Sequence, residues 1–585
     1  MNLTRSVLSA LIVLFAATAF SAEPIRISGP LVAGGDVTSF QITPDSTRVV
    51  FLAIKDTPGV PELYGAPMTG AGAAIKLSGS LAAGGAVGNY KLSADSKRAV
   101  FLADKDTDGT LELYSVPTTG GPAVKLSGTM TAGGNADNFF YISPDSTRVV
   151  FRADKDTNGK LELYSAPSTG GVAPVKISGT LVGAGDVETM AISPDSTRVV
   201  FRADKDTDSV SELYSVPIDG SVAPTQISGS MVAGGDVNVF GISPDGLRVV
   251  FRADKDSDDV FELYSVPIAG GVAPVKLSGT MVAGGDVGGS NFQFSPDGSR
   301  VVFIADRDTD ETFELYSVPT AGGSPATKLS SATAIGSDVG TVLISPDGTR
   351  VVYLANNNSV ATQELYSVPI TGGIAPVRIS GTLAVGGNVF NAVISPDSSR
   401  VAFAADKLTA GVVLLHSVPI AGGTIVTDSG GMVAGGNVNA NDFSFTPDSV
   451  RLVFIADKQT FGVRELYTVP AASGLAPTKL SGTMVAGGGV SQMRLTPDGS
   501  RVVLFGDKES DETFELFVTG ISLAMDIDGN GIVDALTDGL LLIRWQFGLR
   551  GAALIAGAVA ADATRTSVAQ IEGYLTRLDV QPGNN

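Results

Sequence analysis

The chain contains no cysteine, and that absence removes several explanations at once. Without thiols there are no disulfides, no thiolate metal site, no cysteine nucleophile and no lipidated N-terminal cysteine. Histidine is nearly as scarce. His416 is the single copy, so a histidine-rich metal cluster is excluded and a Ser-His-Asp triad would depend on it alone. It stands in a Leu-His-Ser-Val-Pro strand where sister repeats carry tyrosine, with no glycine-flanked nucleophile elbow, so it reads as a sheet histidine. There is no GxxxxGK phosphate loop and no dinucleotide fingerprint. Basic residues are outnumbered, 40 Lys+Arg against 60 Asp+Glu, for a net charge of −20. That balance disfavours a nucleic-acid partner, whose phosphates attract lysine and arginine, and it suits cations.

Long apolar runs are also lacking after the first residues, so no later segment reads as a membrane span. Residues 1–22 read as an export signal: Arg5 is the positive start, Val7 to Phe20 the apolar stretch, and Ala17-Thr18-Ala19 or Ser21-Ala22 the cleavage site. The expected location is therefore outside the cytoplasm, in a bacterial periplasm or at the cell surface. Hydrophobic residues make up 43% of the chain, enough for a large core. The 71 glycines and 30 prolines fall at regular places, which suits short strands joined by turns.

What the chain has is repetition. From Glu23 to Ile521 a unit of roughly 50 residues recurs, marked by the aspartate of an SPD-type turn at Asp45, Asp95, Asp145, Asp195, Asp245, Asp297, Asp347, Asp397, Asp448 and Asp498. In the unit around Asp195, Val187 to Ile192 reads as a strand ending in the Ser-Pro-Asp-Ser turn. Arg198 to Ala203 is a second strand rich in β-branched residues, Asp204 to Ser209 a polar hairpin loop, and Glu212 to Val216 a third strand closed by Pro217. Pro224 to Ser228 is a short fourth strand. Four antiparallel strands make the blade of a β-propeller, and strands apolar on both faces suit a sheet held between two neighbours. The fold class is therefore all-β, a propeller of about ten blades. A lone fourth-strand sequence, Ile25 to Gly29, precedes the first turn, and the last unit ends at Glu515 to Val518 without one. Pairing the two completes the last blade and removes two raw sheet edges. Two five-bladed rings satisfy the same logic; the nearly constant spacing, with a small insertion at Gly288-Gly289 and no linker, favours one.

Ser-Pro-Asp-Gly-x-Arg-Val-Val-Phe, followed by Glu-Leu-Tyr-Ser-Val-Pro and Gly-Gly-x-x-x-x-Lys-Leu-Ser, resembles the WD40-like repeat of TolB-type propellers over residues 23–521. The resemblance implies the propeller fold. It leaves function open, because such blades serve as scaffolds in periplasmic proteins, peptidases and surface proteins.

The hairpin between second and third strands is the most chemical part of each blade. Asp104, Asp106, Asp108 and Glu112 place oxygens at loop positions 1, 3, 5 and 9 with Gly109 at 6, a spacing similar to the calcium hairpins of integrin-type propellers. The same set recurs as Asp154, Asp156, Asn158 and Glu162; Asp204, Asp206, Asp208 and Glu212; Asp254, Asp256, Asp258 and Glu262; and Asp306, Asp308, Asp310 and Glu314. The alternative is a set of solvated turns, with each glutamate paired to a nearby lysine or arginine. Topology places these hairpins on one rim with the VAGGDV connections that carry Asp186, Asp236 and Asp286, and the SPD turns on the other. Arg152, Arg202 and Arg252 replace an aliphatic second-strand residue in three consecutive blades. They read as a salt-bridge ladder or as an anionic-ligand patch.

After Ile521 the repeat stops. Asp526, Asp528 and Asn530 at loop positions 1, 3 and 5, Gly531 at 6, the Ile532 carbonyl and Asp534 form an EF-hand-type calcium pattern before an apolar helix, Gly539 to Phe547. Thr537 stands at position 12 and the carboxylate arrives one residue later, in Asp538. The segment 522–585 resembles a bacterial dockerin, which implies calcium as cofactor and a cohesin-like partner; with one good loop it reads equally as a small calcium-stapled cap on the propeller. A second helix is expected from Ser567 to Leu578, capped by Ser567 and Gln570, behind a stretch 562–566 that lacks the metal ligands. The function expected is an exported, non-catalytic, calcium-stabilised scaffold for a protein or glycan. The alternatives are a carbohydrate-active enzyme with its site in the propeller channel and a structural cell-surface protein.

Overall fold

The computed structural model describes residues 23–331, 338–356, 362–521, 527–528, 536–560, 563 and 565–577. The fold is a β-propeller of ten blades, each a four-stranded antiparallel sheet. Nine blades take their strands in chain order; in the tenth the order is Ile25–Arg26, Glu515–Gly520, Arg501–Gly506, Val490–Leu495. The leading strand thus pairs with the trailing one, Ile25 opposite Val518 and Arg26 opposite Phe517, as the lone fourth-strand sequence suggested. Arg26 adds an ion pair to Glu515 at 3.1 Å, and Lys508 reaches Glu23 at 3.2 Å.

By contact the chain forms two compact units. One is Ile27–Gly411 with Val418–Ile425; the other holds the Ile25–Arg26 strand, Val412–Ser417 and the chain from Val426 onward. Within the first, the core repeats from blade to blade. Val150 and Leu163 of blade three join Val187, Val199, Phe201 and Tyr214 of blade four in one buried cluster. Val200 and Leu213 of blade four join Val249 and Phe251 of blade five in the next. This is why Arg-Val-Val-Phe has no polar alternation: the sheet of blade four, for one, has a dry neighbour on both faces. Phe201 faces Tyr214 across the second and third strands with ring centroids 5.4 Å apart, and the same stack recurs in most blades. In the second unit, Val453 and Leu466 of blade nine pack with Val502 and Phe517 of blade ten.

Burial fades outward. The first strand is half-buried, and the fourth is only two residues long, Thr225–Gln226 in blade four, shorter than the Pro224 to Ser228 expected. The third strand runs one residue further, to Pro217. In the SPD turn Ser193 Oγ donates to Asp195 Oδ1 at 2.5 Å and accepts from the Arg198 N–H at 2.9 Å. Ser196 follows at φ +62°, a left-handed position held by glycine in blades five to seven and ten (Gly246, Gly298, Gly348, Gly499). Serine persists there because its Oγ accepts the Asp145 N–H of the preceding blade, at 2.9 Å.

Three helices follow the blades: α1 (Asp538–Gln546), α2 (Ala552–Ile555) and α3 (Val568–Arg577). They close on a core of their own, with Ile527, Leu541, Trp545, Leu554, Ile571 and Leu575 buried together. Ser567 and Gln570 make the reciprocal bonds of a capping box, 3.0 and 3.3 Å. The short α2 was not anticipated. The proposed export signal, residues 1–22, lies outside the described residues. Among the described residues no helix is long and apolar enough to cross a membrane.

Candidate functional site

The hairpins and the VAGGDV connections do lie together, and hydrogen bonds join them. In blade four, Asp204 Oδ1 accepts the Asp186 N–H at 2.5 Å and its Oδ2 accepts the Ser209 N–H at 3.3 Å. Asp186 in turn accepts the Leu161 N–H of the preceding blade at 2.6 Å. Asp104, Asp154, Asp254 and Asp306 make the same double bond to their own loops. Position 1 is therefore a clamp on backbone N–H groups, and the following aspartate is a bridge between blades.

Positions 3 and 9 meet at a lysine of the fourth strand. Glu262 is buried, accepts the Tyr264 hydroxyl at 2.8 Å and pairs with Lys276 at 2.6 Å; Lys276 also pairs with Asp256 at 3.1 Å. Glu112, Lys125 and Asp106, and Glu162, Lys176 and Asp156, repeat the arrangement. In blade four Gln226 takes the lysine's place beside Glu212, and Asp206 pairs with Lys205 at 2.8 Å. In blade six Glu314 pairs with Lys328 and Asp308 lies 3.4 Å from Arg307. Burial is the largest single influence on Asp256 and pushes it up, but the Lys276 hydrogen bond and charge, with Tyr264 and Lys255, together outweigh it and hold the carboxyl below its usual range. For Asp106 the Lys125 bond is the largest influence, in the same direction. Burial, and then the neighbouring glutamate, drives the tyrosine hydroxyls far up, so they act as donors throughout.

Position 5 is exposed. Asp108, Asp258, Asp310 and Asn158 lean over glycines of the adjacent loop: a Cβ on Gly234 would stand 2.5 Å from Asp258 Oδ1. Asp208 is exposed as well. The spacing 1, 3, 5 and 9 is thus divided among three tasks. Among the described residues one carboxylate group lies close enough to share a cation, Asp254, Asp258 and Asp259 of blade five. Asp259 was not in the expected set; it stands where blades two and three have Gly109 and Gly159. The glutamates pair with lysine as the alternative reading had it; that the lysine is the one of the recurring Lys-Leu-Ser or Lys-Ile-Ser fourth strand was not specified.

The three arginines cross blade boundaries. Arg152 pairs with Asp137 at 2.5 Å and donates to the carbonyls of Val187 (3.0 Å) and Glu188 (2.5 Å). Arg202 pairs with Glu188 at 2.5 Å and donates to the Val237 and Asn238 carbonyls. Arg252 donates to the Val287 carbonyl at 2.6 Å and lies 3.9 Å from the Phe261 ring centre. Each ties its sheet to the next. His416 is fully buried with Nδ1 3.1 Å from Thr427 Oγ1.

In the C-terminal segment Asp526, Asn530, Ile532 and Asp534 lie outside the described residues. Asp538 Oδ1 accepts the N–H groups of Ile527 (2.5 Å) and Asp528 (3.0 Å), and Asp528 Oδ2 accepts the Ala560 N–H at 2.8 Å. Both carboxylates are buried, at 0% and 1% exposure.

No family model matches this chain, and no curated protein does. Among solved structures, a protein of Agrobacterium tumefaciens described as a "putative TolB" is similar at 22% identity, over 41% of this chain and 79% of that one, with a TM-score of 0.27. A eukaryotic initiation factor is similar at 12% identity, over 72% of this chain and 92% of that one, with a TM-score of 0.43. Likenesses this loose carry no argument about activity; the propeller rests on its own ten sheets.

Proposed function

We propose that this propeller is an exported, non-catalytic scaffold that offers its hairpin face to a protein or glycan partner. The observation that carries the reading is the division of the hairpin carboxylates. Those at positions 1, 3 and 9 are engaged by backbone N–H groups, lysine and tyrosine, while Asp108, Asp208, Asp258 and Asp310 recur exposed on the same face. A catalytic acid/base pair needs two carboxyls in contrasting surroundings. Here the surroundings repeat from blade to blade, which supports binding by many equivalent contacts. Calcium belongs to the proposal at the C-terminal loop: Asp528 and Asp538 are buried carboxylates, the donor chemistry a hard cation takes. They would hold it together with Asp526, Asn530, Asp534 and the Ile532 carbonyl, and the ion would supply structural charge compensation.

The test is capture on glycan arrays and from extracellular protein fractions, with the full chain and with Asp108, Asp208, Asp258 and Asp310 all changed to asparagine. The expected result is a partner retained by the first and lost by the second. Polysaccharide turnover abolished by changing one carboxylate pair would overturn the reading.

A further inference from the structure

The blades carry their own comparison for one place on this surface. In blade five, Arg252 runs between the Phe261 ring and the Val287 carbonyl of the next blade. Shifting each number by the 52 residues that separate Asp245 from Asp297 gives Ile304, Phe313 and Val339. The aromatic ring and the receiving strand are kept, and the guanidinium is gone. What stands there is an open cavity of about 510 Å³ lined by Gly288, Gly289, Ile304, Phe313, Asp338 and Gly340, with Val339 and Thr341 beside them.

Two features open it. In blade five Val239 is in register with Arg252, whereas in blade six the pairing jumps from Val287–Ala305 to Phe292–Phe303, and no first-strand residue is paired with Ile304. Blades seven and nine skip Leu354 and Ile455 in the same way, so the jump alone does not open the cavity; Gly288 and Gly289 line it with no side chain. Glycine also leaves room there: a Cβ on Gly288 would stand 3.0 Å from Phe313 Cε1 and press on the ring. In other blades without the arginine the two positions hold Leu52 and Pro61, Leu102 and Leu111, Leu354 and Gln363, Ala404 and Val413, or Ile455 and Arg464, with no ring at the second, and in blade ten Phe505 and Phe514 lie 5.4 Å apart. Among the described residues no cation lies over Phe313. Asp338 supplies a carboxylate at the rim, accepting the Phe313 N–H at 3.0 Å.

We infer that this cavity receives an arginine side chain from a basic segment of a partner protein, seated on Phe313 beside Asp338 as Arg252 is seated on Phe261. Guanidinium fits better than ammonium, because its planar face stacks on a ring while its N–H fork reaches carbonyls. The net charge of −20 favours the approach of a basic chain. The inference deepens the proposed binding role and rests on it for the partner only; the cavity is defined without it.

The test uses the full chain and three peptides, acetyl-Gly-Arg-Gly-amide and its lysine and citrulline counterparts, titrated by saturation-transfer NMR. The arginine peptide should saturate with Kd on the order of 1 mM, the weak affinity of a single side chain. The lysine peptide should bind at least severalfold less tightly, and the citrulline peptide should not saturate. Phe313→Leu should weaken arginine binding roughly threefold or more. Ile304→Arg, which supplies the cavity with an internal guanidinium, should abolish it. Asp338→Asn, an exposed change that keeps an acceptor for the Phe313 N–H, should weaken binding severalfold with the melting temperature unchanged. Equal binding of citrulline or lysine, retained binding in Ile304→Arg, or no saturation by the arginine peptide would overturn the inference. Any of these leaves the hairpin-face proposal standing if its asparagine variant still loses its partner; peptide binding without hairpin-dependent capture would fail that proposal alone.

Discussion

A chain beginning at Pro30 lacks the strand that completes blade ten, and its loss has a calculable effect. Ile27 is 4% exposed, and burying such a side chain is worth about 1.5–3 kcal/mol. Glu515, with its side chain 3% exposed, loses Arg26 at 3.1 Å; a charged hydrogen bond is worth about 1.5–3 kcal/mol, and the lower end applies because Arg26 is 37% exposed. The backbone ladder of Ile25–Arg26 adds about 1 kcal/mol. Together the truncation costs about 4–6 kcal/mol. Unfolding entropy near 2.1 cal/mol/K per residue gives about 1.2 kcal/mol/K for 585 residues, so a chain melting as one unit loses about 4 °C. A melt confined to fewer residues loses more. The Glu515–Gly520 edge is also left bare, so concentration-dependent association should appear. Circular-dichroism melts and sedimentation measure both, and a peptide spanning Glu23 to Pro30, added in excess, should restore the midpoint. A midpoint within about 1 °C of the full chain, with no added association, would refute the reasoning.

Arg202→Leu installs the residue that blades one, two and seven carry, leaves Glu188 with the Ser211 hydroxyl as donor and strips the Val237 and Asn238 carbonyls of the guanidinium; urea titration should show a loss of about 1–2 kcal/mol. Unchanged stability with loss of an anionic ligand would favour the ligand-patch reading instead. The hydroxyls of Ser193 and Ser295, and then backbone N–H groups, hold Asp195 and Asp297 below the usual 3.8. A lowered folded value means stability present above the unfolded value and lost as pH falls through the folded one. The deficit of an Asp195→Asn, Asp297→Asn variant in denaturant midpoint should therefore be full at neutral pH and shrink below about pH 4. Calorimetry with calcium and a chelator should show an ion that is present in the full chain, absent from a chain ending at Ile521 and lost in Asp526→Ala; unaltered stoichiometry and affinity in Asp526→Ala would refute the C-terminal site.

The blades were legible because their inner strands obey one local rule. Runs such as Arg-Val-Val-Phe and Glu-Leu-Tyr-Ser-Val-Pro are extended, apolar on both faces and punctuated by turns, and ten copies average out local ambiguity. The fourth strand read too long because only its two residues opposite the Tyr-Ser pair stay in register. α2 was invisible because Ala552 to Ile555, between glycines, has neither cap nor period. The hairpins show a subtler limit. Spacing places Asp204, Asp206, Asp208 and Glu212 on one loop, but where each carboxylate turns depends on groups far along the chain: the Asp186 N–H for the first, Gln226 for the last. The cavity of blade six needed the fold as well, since a missing side chain becomes meaningful only once its sisters are superposed on it.

The antiparallel pairing of Ile25 with Val518 and Arg26 with Phe517 has a mechanical side. Tension applied upstream of Ile25 and downstream of Val518 loads the same end of that two-rung ladder. The rungs then open in succession, like a zip, and do not share the load in shear. A pull through both termini therefore opens this closure rung by rung, at a lower force than the same two rungs would bear in shear.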